Sequence, residues 1–152
     1  MSPRAACRLE TLGFETVYDY VPGKVDWLAR GLPTEGEKTA NPRVGQLARD
    51  DFARCGLDDP LDRVRQLIEA SPYGFCLVLS EAGTLLGRVR RSALEGGAGG
   101  TAEDVMEPGP STVRYDLAVD ELRERLEKRD LKTALVSTPE GEVIGVVRRS
   151  DL

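Results

Sequence analysis

Hydrophobic positions along the chain follow two periodicities that alternate in a fixed order, twice. Between Pro60 and Ala70, Leu61, Val64, Leu67 and Ile68 recur at three- and four-residue intervals; between Leu117 and Lys128, Leu117, Val119, Leu122 and Leu126 repeat the pattern. Spacing near 3.6 residues gathers these side chains into one apolar stripe and predicts two amphipathic helices. An acidic residue precedes each, Asp58 or Asp59 and Asp116, and its carboxylate is suited to accept from the free N–H groups of a first helical turn. After each helix comes a short apolar run, Phe75-Cys76-Leu77-Val78-Leu79 or Thr133-Ala134-Leu135-Val136-Ser137. A turn carrying Gly83 or Gly141 leads into a second run, Thr84 to Val89 or Glu142 to Val147, which together read as a β-hairpin. With the extended pieces Ala53-Arg54-Cys55 and Thr112-Val113-Arg114 ahead of the helices, each unit is strand–helix–strand–strand followed by a helical stub.

The two units are copies of one another. Gly87-Arg88-Val89-Arg90-Arg91-Ser92-Ala93-Leu94 recurs as Gly145-Val146-Val147-Arg148-Arg149-Ser150-Asp151-Leu152, an offset of 58 residues that holds back through Gly83/Gly141, Leu77/Leu135, Asp62/Asp120 and Asp58/Asp116. Asp151 supplies a carboxylate where Ala93 has a methyl group. Residues 43–95 and 101–152 are therefore expected to be tandem repeats, joined by a flexible glycine-rich tether at 96–100. A linker at 37–42 separates them from an N-terminal block, residues 1–36. Units of about fifty residues are each marginal alone, so the repeats are expected to share an interface.

The formal charge of −5, from 26 acidic and 21 basic side chains, argues against general attraction to nucleic acid or anionic membrane. No stretch approaches the ~20 apolar residues of a membrane span, and the N-terminus lacks an apolar signal core, so a soluble, cytoplasmic protein is expected. Cys7, Cys55 and Cys76 are odd in number and lack C-x-x-C spacing, which points to small buried hydrophobes rather than disulfides or a zinc site. The chain has no histidine. That removes the commonest general base and the commonest metal ligand, so neither an enzyme nor a metal site is expected.

The order of elements, the opening Val105-Met106-Glu107-Pro108 of the second copy and its ending Gly145-Val146-Val147-x-x-x-Asp151-Leu152 resemble a pair of cystathionine-beta-synthase (CBS) domains, a Bateman module, over about Arg43 to Leu152. The resemblance implies an α/β (α+β) fold in which two repeats pack through their sheets about a pseudo-twofold axis and leave two clefts. It implies that AMP, ADP, ATP or S-adenosylmethionine binds in one of these clefts, no cofactor being required. In the family pattern Gly-apolar-x-Ser/Thr-x-x-Asp the Asp receives both ribose hydroxyls, a role that matches Asp151 and that Ala93 cannot fill. The Ser/Thr position holds Arg90 and Arg148, and such an arginine either reaches a ligand phosphate or fills the cleft and excludes the ligand. The family's cleft around Asp151, Arg148, Val147 and Gly145 is completed from the partner repeat by Ala53, Tyr73 and Gly74, with Tyr73 suited to stack on an adenine face.

The block Ser2 to Phe14, Val17-Tyr18-Asp19-Tyr20 and Gly23-Lys24-Val25-Asp26-Trp27 is similar to the C-terminal end of a rhodanese domain, which implies helix, strand and helix. That family's sulfur-carrying cysteine would fall ahead of Met1. Cys7 lies inside the helix, so a docking segment packing through Phe14, Val17, Tyr18, Val25, Trp27 and Leu28 is expected in place of a sulfurtransferase. The functional expectation is a regulatory, ligand-sensing module, a homodimer, that binds an adenosine-containing nucleotide beside Asp151 and signals to an effector protein. A ligand-free protein–protein interaction module is the alternative.

Overall fold

Apolar runs with two faces to bury require a layer on each side, and the two hairpins provide that for one another. The computed structural model describes residues 3–34, 42–95 and 99–152. The N-terminal block forms helices α1 (Pro3–Thr11) and α2 (Gly23–Ala29). The first repeat runs α3 (Val44–Leu47), β1 (Ala53–Cys55), α4 (Leu61–Ala70), β2 (Phe75–Leu79), β3 (Leu85–Arg90) and a 3-10 turn, Arg91–Leu94. The second runs α5 (Ala102–Val105), β4 (Glu107–Pro108), β5 (Thr112–Arg114), α6 (Val119–Lys128), β6 (Thr133–Ser137), β7 (Val143–Arg148) and the turn Arg149–Asp151. Most of the linker expected at 37–42, and residues 96–98 of the glycine-rich tether, lie outside the described residues.

This mixed α/β fold has two sheets, ordered β1-β2-β3-β4 and β5-β6-β7. The offset of 58 holds down to strand register. Arg54 pairs with Leu77 as Thr112 does with Leu135, both in parallel, and Phe75 faces Arg90 as Thr133 faces Arg148 across the antiparallel hairpins. Both hairpins even slip at the same place, between Val78 and Leu79 and between Val136 and Ser137. Alternation along β2 sends Cys76 and Val78 toward Leu61, Val64 and Ile68 of α4. Along β6 and β7, Ala134, Val136 and Val147 pack on Leu122 and Leu126 of α6. The opposite faces, Phe75 and Leu77 against Leu135 and Val146, meet as a third core between the sheets. Strands covered on both sides lose the polar alternation of a half-exposed sheet, which is why these runs read as continuously apolar.

A short helix opens each repeat, and it packs on the other repeat. Val44 of α3 enters the core beneath α6, and Ala102 of α5 enters the core beneath α4. The reciprocity extends to the backbone. Val44 N–H donates to Leu117 O (3.0 Å) and Gly45 N–H to Tyr115 O (2.8 Å), while Ala102 N–H donates to Asp59 O (2.9 Å) and Glu103 N–H to Leu57 O (3.1 Å). Helix starts must find acceptors for N–H groups with no partner inside the helix, and here the neighbouring repeat supplies them. The chain entering α4 and α6 is tied in the same way, by Leu61 N–H to Gly100 O (3.2 Å) and Val119 N–H to Pro42 O (3.1 Å).

This arrangement corrects the capping expectation. The N-cap positions of α4 and α6 are Pro60 and Ala118, both extended and without a side-chain cap. Asp59 instead accepts from Gly56 N–H (2.8 Å) and pairs with Arg63 (2.8 Å), while Asp116 pairs with Arg114 (2.9 Å). Backbone acceptors from across the interface leave the carboxylates free to brace the preceding loops.

The N-terminal block departs from expectation as well. No strand forms around Val17-Tyr18, and residues 12–22 are turns and irregular chain. Phe14, Tyr18 and Val25 are exposed, Tyr18 at 86%, so the proposed packing face does not form, although Val17, Trp27 and Leu28 are half-buried. Cys7 is exposed because it lies off the half-buried stripe of Ala5, Ala6 and Leu9 on α1, whereas Cys55 and Cys76 are buried. What docks the block is polar. Asp26, only 4% exposed, accepts hydrogen bonds from the hydroxyls of Tyr115 and Tyr20 and, at 3.0 Å, from Arg30 Nε. Ala29 is buried beside it, and Gln46 of α3 donates to Leu28 O. The Tyr115 hydrogen bond, followed by that of Tyr20, holds the Asp26 carboxyl below its usual range, and Asp26 in turn pushes Tyr115 up to about 12.

At Gly145 an added Cβ would stand 2.6 Å from Arg49 O, a backbone atom, whereas at Gly87 the clash, 2.4 Å, is with the flexible Met106 side chain. Gly145→Ala is expected to cost about 1–3 kcal/mol in urea unfolding and Gly87→Ala clearly less; equal costs would contradict the assigned contacts. Tyr115→Phe is expected to lose about 1–3 kcal/mol at neutral pH. A depressed carboxyl pKa adds stability above the unfolded value of about 3.9 that is lost as pH falls through the folded value. A raised Tyr115 adds stability below about 10 that is lost as pH rises toward about 12. Asp26→Asn should flatten the acid limb measured by denaturation from about pH 5 to 2.

Candidate functional site

The pseudo-twofold axis runs past Thr84 and Glu142, which bridge one another while Leu85 N–H donates to Gly141 O and Val143 N–H to Gly83 O, both at 3.1 Å. It relates two clefts in which the end of one hairpin faces the segment that opens the other repeat.

In the first cleft the chain before β2 presents Tyr73, the end of β7 presents Arg148, and the turn beyond it presents Ser150 and Asp151. The Arg148 guanidinium lies over the Tyr73 ring, 4.7 Å from its centroid, and the Tyr73 hydroxyl donates to Asp51 at 2.5 Å. Burial, reinforced by Asp51, raises the Tyr73 pKa. A cavity of about 410 Å³ opens here, lined by Pro72, Tyr73, Thr133 and Ser150 and by the cations Lys132, Arg148 and Arg149. Asp151 stands behind this lining with its Oδ2 at 3.0 Å from Arg49 Nη2, and Oδ1 accepts from Ser150 at 3.2 Å. Although the Arg49 contact is an ion pair by distance, its donors are not aligned on the oxygen, and Oδ2 is buried without a hydrogen-bond donor among the described residues.

The second cleft is wider, about 620 Å³. The offset of 58 places Glu107 where the first cleft has Arg49, so the sign of the charge is reversed. Glu107 accepts from Arg88 at 2.8 Å and Arg90 at 3.2 Å, and Arg88 holds its carboxyl below the usual range. Tyr73 lines this cavity too, and Gly74, expected in the cleft beside Asp151, lines this one and not the first.

Of the residues expected to bind ligand, the structure brings Tyr73 and Arg148 into direct contact and sets Asp151 one residue from the lining. It does not bring Ala53, Val147 or Gly145 to the cavity surface. Ala53 packs against the first core, the Val147 side chain is fully buried beneath α6, and the space beside Gly145 is filled by the Arg49 backbone. Arg49, Asp51 and Glu107 were missed as members of the clefts. The signal for the charge reversal lay in the offset itself, which equates Glu107 with Arg49. Arg148 rests on an aromatic face rather than on a carboxylate, with its cationic plane where a flat heterocycle would stack.

No helix among the described residues is long and apolar enough to cross a membrane. Residues 102–152 match the family model of the CBS domain, and no curated protein matches the sequence. Among solved structures the chain is similar to the cytosolic domain of the Mg2+ channel MgtE in complex with ATP, at 20% identity and a TM-score of 0.62, over 72% of this chain and 46% of that one. It is also similar to CBSX2 in complex with AMP, at 19% identity and a TM-score of 0.62, over 72% and 91% of the two chains. The CBS domain pair of MJ0100 in complex with 5′-methylthioadenosine and S-adenosyl-L-methionine matches at 16% identity and a TM-score of 0.61, over 74% and 93%. The chain thus spans less than half of the MgtE domain. At these identities the likeness establishes the fold, that of a CBS-domain pair.

Proposed function

We propose that this chain is a ligand-sensing module that takes an adenosine-containing nucleotide in the cleft beside Asp151 and passes the change to a partner chain. The observation that supports it most is Asp151 Oδ2, a buried acceptor with no aligned donor. A buried polar atom left in this state costs roughly 1–3 kcal/mol, and a ribose diol supplies two donors of the required kind. Structures of the same fold hold AMP, ATP, or methylthioadenosine with S-adenosylmethionine. The Tyr73 ring takes the base, Arg148 moves from the ring to a phosphate, and the cavity of about 410 Å³ lies within the roughly 300–1,000 Å³ of small-molecule sites.

The same movement gives the module an output. Engaging Asp151 withdraws it from Arg49, whose backbone is bridged to Val146 by hydrogen bonds of 3.0 and 2.9 Å. Arg49 follows α3, and α3 carries Gln46 and Gly45 against the N-terminal block. A ligand that favours one position of this segment shifts what a second protein, a copy of the chain or an effector, meets there. The existing Arg49–Asp151 and Arg148–Tyr73 contacts also support a second reading, an interaction module whose cleft is closed by its own arginines.

Isothermal calorimetry with AMP, ADP, ATP and S-adenosylmethionine separates the two. One of these ligands is expected to bind with one site per chain, and Asp151→Ala to weaken it at least about tenfold, from the loss of charge-assisted hydrogen bonds worth about 1.5–3 kcal/mol each. Absence of heat for all four at millimolar ligand would leave the interaction module standing.

A further inference from the structure

Two of the three cysteines stand side by side inside the first repeat. Cys55 ends β1 and Cys76 lies second in the neighbouring parallel strand β2, where Ala53 pairs with Cys76 and Cys55 with Val78. Alternation along both strands puts Ala53, Cys55, Cys76 and Val78 on the face that meets α4, so the two thiols are diagonal neighbours. They are also hydrogen-bonded: the Cys76 thiol donates to the Cys55 sulfur, which holds Cys55 below its usual range and pushes Cys76 up. Cys76 Sγ has a second contact, of 3.8 Å, to Leu77 O. The charged groups that act on the pair are Asp59 and Arg63, themselves joined at 2.8 Å.

Packing does not call for sulfur here. The offset of 58 carries Cys55 to Val113 and Cys76 to Ala134, and the second repeat fills the same two places, in the same strand register, with hydrocarbon. A disulfide does not suit the positions either. Diagonal neighbours on adjacent strands hold their Cα atoms roughly 7–8 Å apart, beyond the reach of about 4.4–6.8 Å over which an S–S bond closes. Among the described residues no three His, Cys, Asp or Glu side chains are grouped to hold a metal, so the pair does not offer the four ligands of a zinc centre. What it offers is two soft donors that already share one proton and do not bond to each other. We infer that Cys55 and Cys76 bind one soft monovalent cation, copper(I) in kind, as a bis-thiolate in the core of the first repeat. The cation takes the place of the shared proton, turning S–H···S into S–M–S. Both thiol protons leave to solvent as it enters, and neither sulfur nor metal is oxidised or reduced. Soft thiolate ligands select such an ion over harder ones, and a single positive charge leaves the bis-thiolate no more charged than a thiol–thiolate pair. Cys55, 7% exposed, is the side of entry, because a Cβ at the adjoining Gly56 would meet nothing nearer than Asp59 Oδ2 at 4.0 Å. The site depends on neither cleft.

The test loads the full chain with Cu+ in the absence of oxygen, on a Cys7→Ser background so that the exposed thiol takes no part. Bicinchoninate competes for the metal, and native mass spectrometry counts it. One Cu+ per chain is expected, with two sulfur ligands by X-ray absorption and a higher urea midpoint, because the ion binds the folded pair. Ag+, alike in charge and softness, should compete for the site, and Zn2+ should not. Adding Cys55→Ala or Cys76→Ala should weaken Cu+ at least about tenfold, since each removes one of the two thiolate ligands. The readouts on the Cys7→Ser chain decide the matter even if an alanine in the core prevents folding. Copper held by three or more sulfurs, copper shared between two chains, a lowered midpoint, or undiminished affinity in both alanine variants overturns the site.

Discussion

The constraint on which this structure depends is that a helix cannot satisfy its own first N–H groups. The openings of α3 and α5 are only four residues long, too short to stand on internal hydrogen bonding, and each hands its donors to carbonyls of the opposite repeat. Neither repeat is complete without this exchange. It sets the spacing of the sheets, brings Arg49 beside β7 and Glu107 beside β3, and so decides which side chains meet in each cleft. The repeated glycine belongs to the same constraint: at Gly145 the crossing backbone runs where any side chain would begin.

Within that frame the two clefts differ in size and in where their charges stand. The backbone positions of Arg49 and Glu107 are equivalent, as are those of Asp151 and Ala93, yet one cleft pairs an arginine with the terminal aspartate and the other gathers arginines around a glutamate. Each arrangement holds one or two of its arginines on a carboxylate, Arg49 on Asp151 and Arg88 with Arg90 on Glu107. Charged groups that are partly hydrated and imperfectly paired can exchange partners at modest cost.

Much of the fold was legible because it rests on local periodicity. The stripes Leu61-Val64-Ile68 and Leu122-Leu126 and the apolar runs of β2 and β6 are core on the faces their spacing indicates. Capping was misread because the acceptors lie in the other repeat, beyond any local window. The leading helices were missed for the same reason, although Thr101 and Asp104, three residues apart and bonded at 2.8 Å, carry the signature of a capping box. Asp26 passed unnoticed because its partner Tyr115 is 89 residues away and nothing in the sequence links them. At the clefts the repeat alignment singled out Asp151 and the family resemblance placed Tyr73 and Arg148 in one cleft, while their direct contact had no sequence signal. The burial of Val147 and the occupation of the space beside Gly145 depended on the crossing chain.

The bridge between Thr84 and Glu142, flanked by two equal hydrogen bonds, has a wider implication. Contacts that a segment makes with its own counterpart are those of a symmetric pair of identical subunits. In such a pair every substitution strikes both clefts at once, and a gain at one is imposed on the other. Joining the two units in one polypeptide removes that coupling. Position 49 can then carry an arginine while position 107 carries a glutamate, so joining the repeats in one polypeptide allows a single symmetric scaffold to hold two unlike clefts.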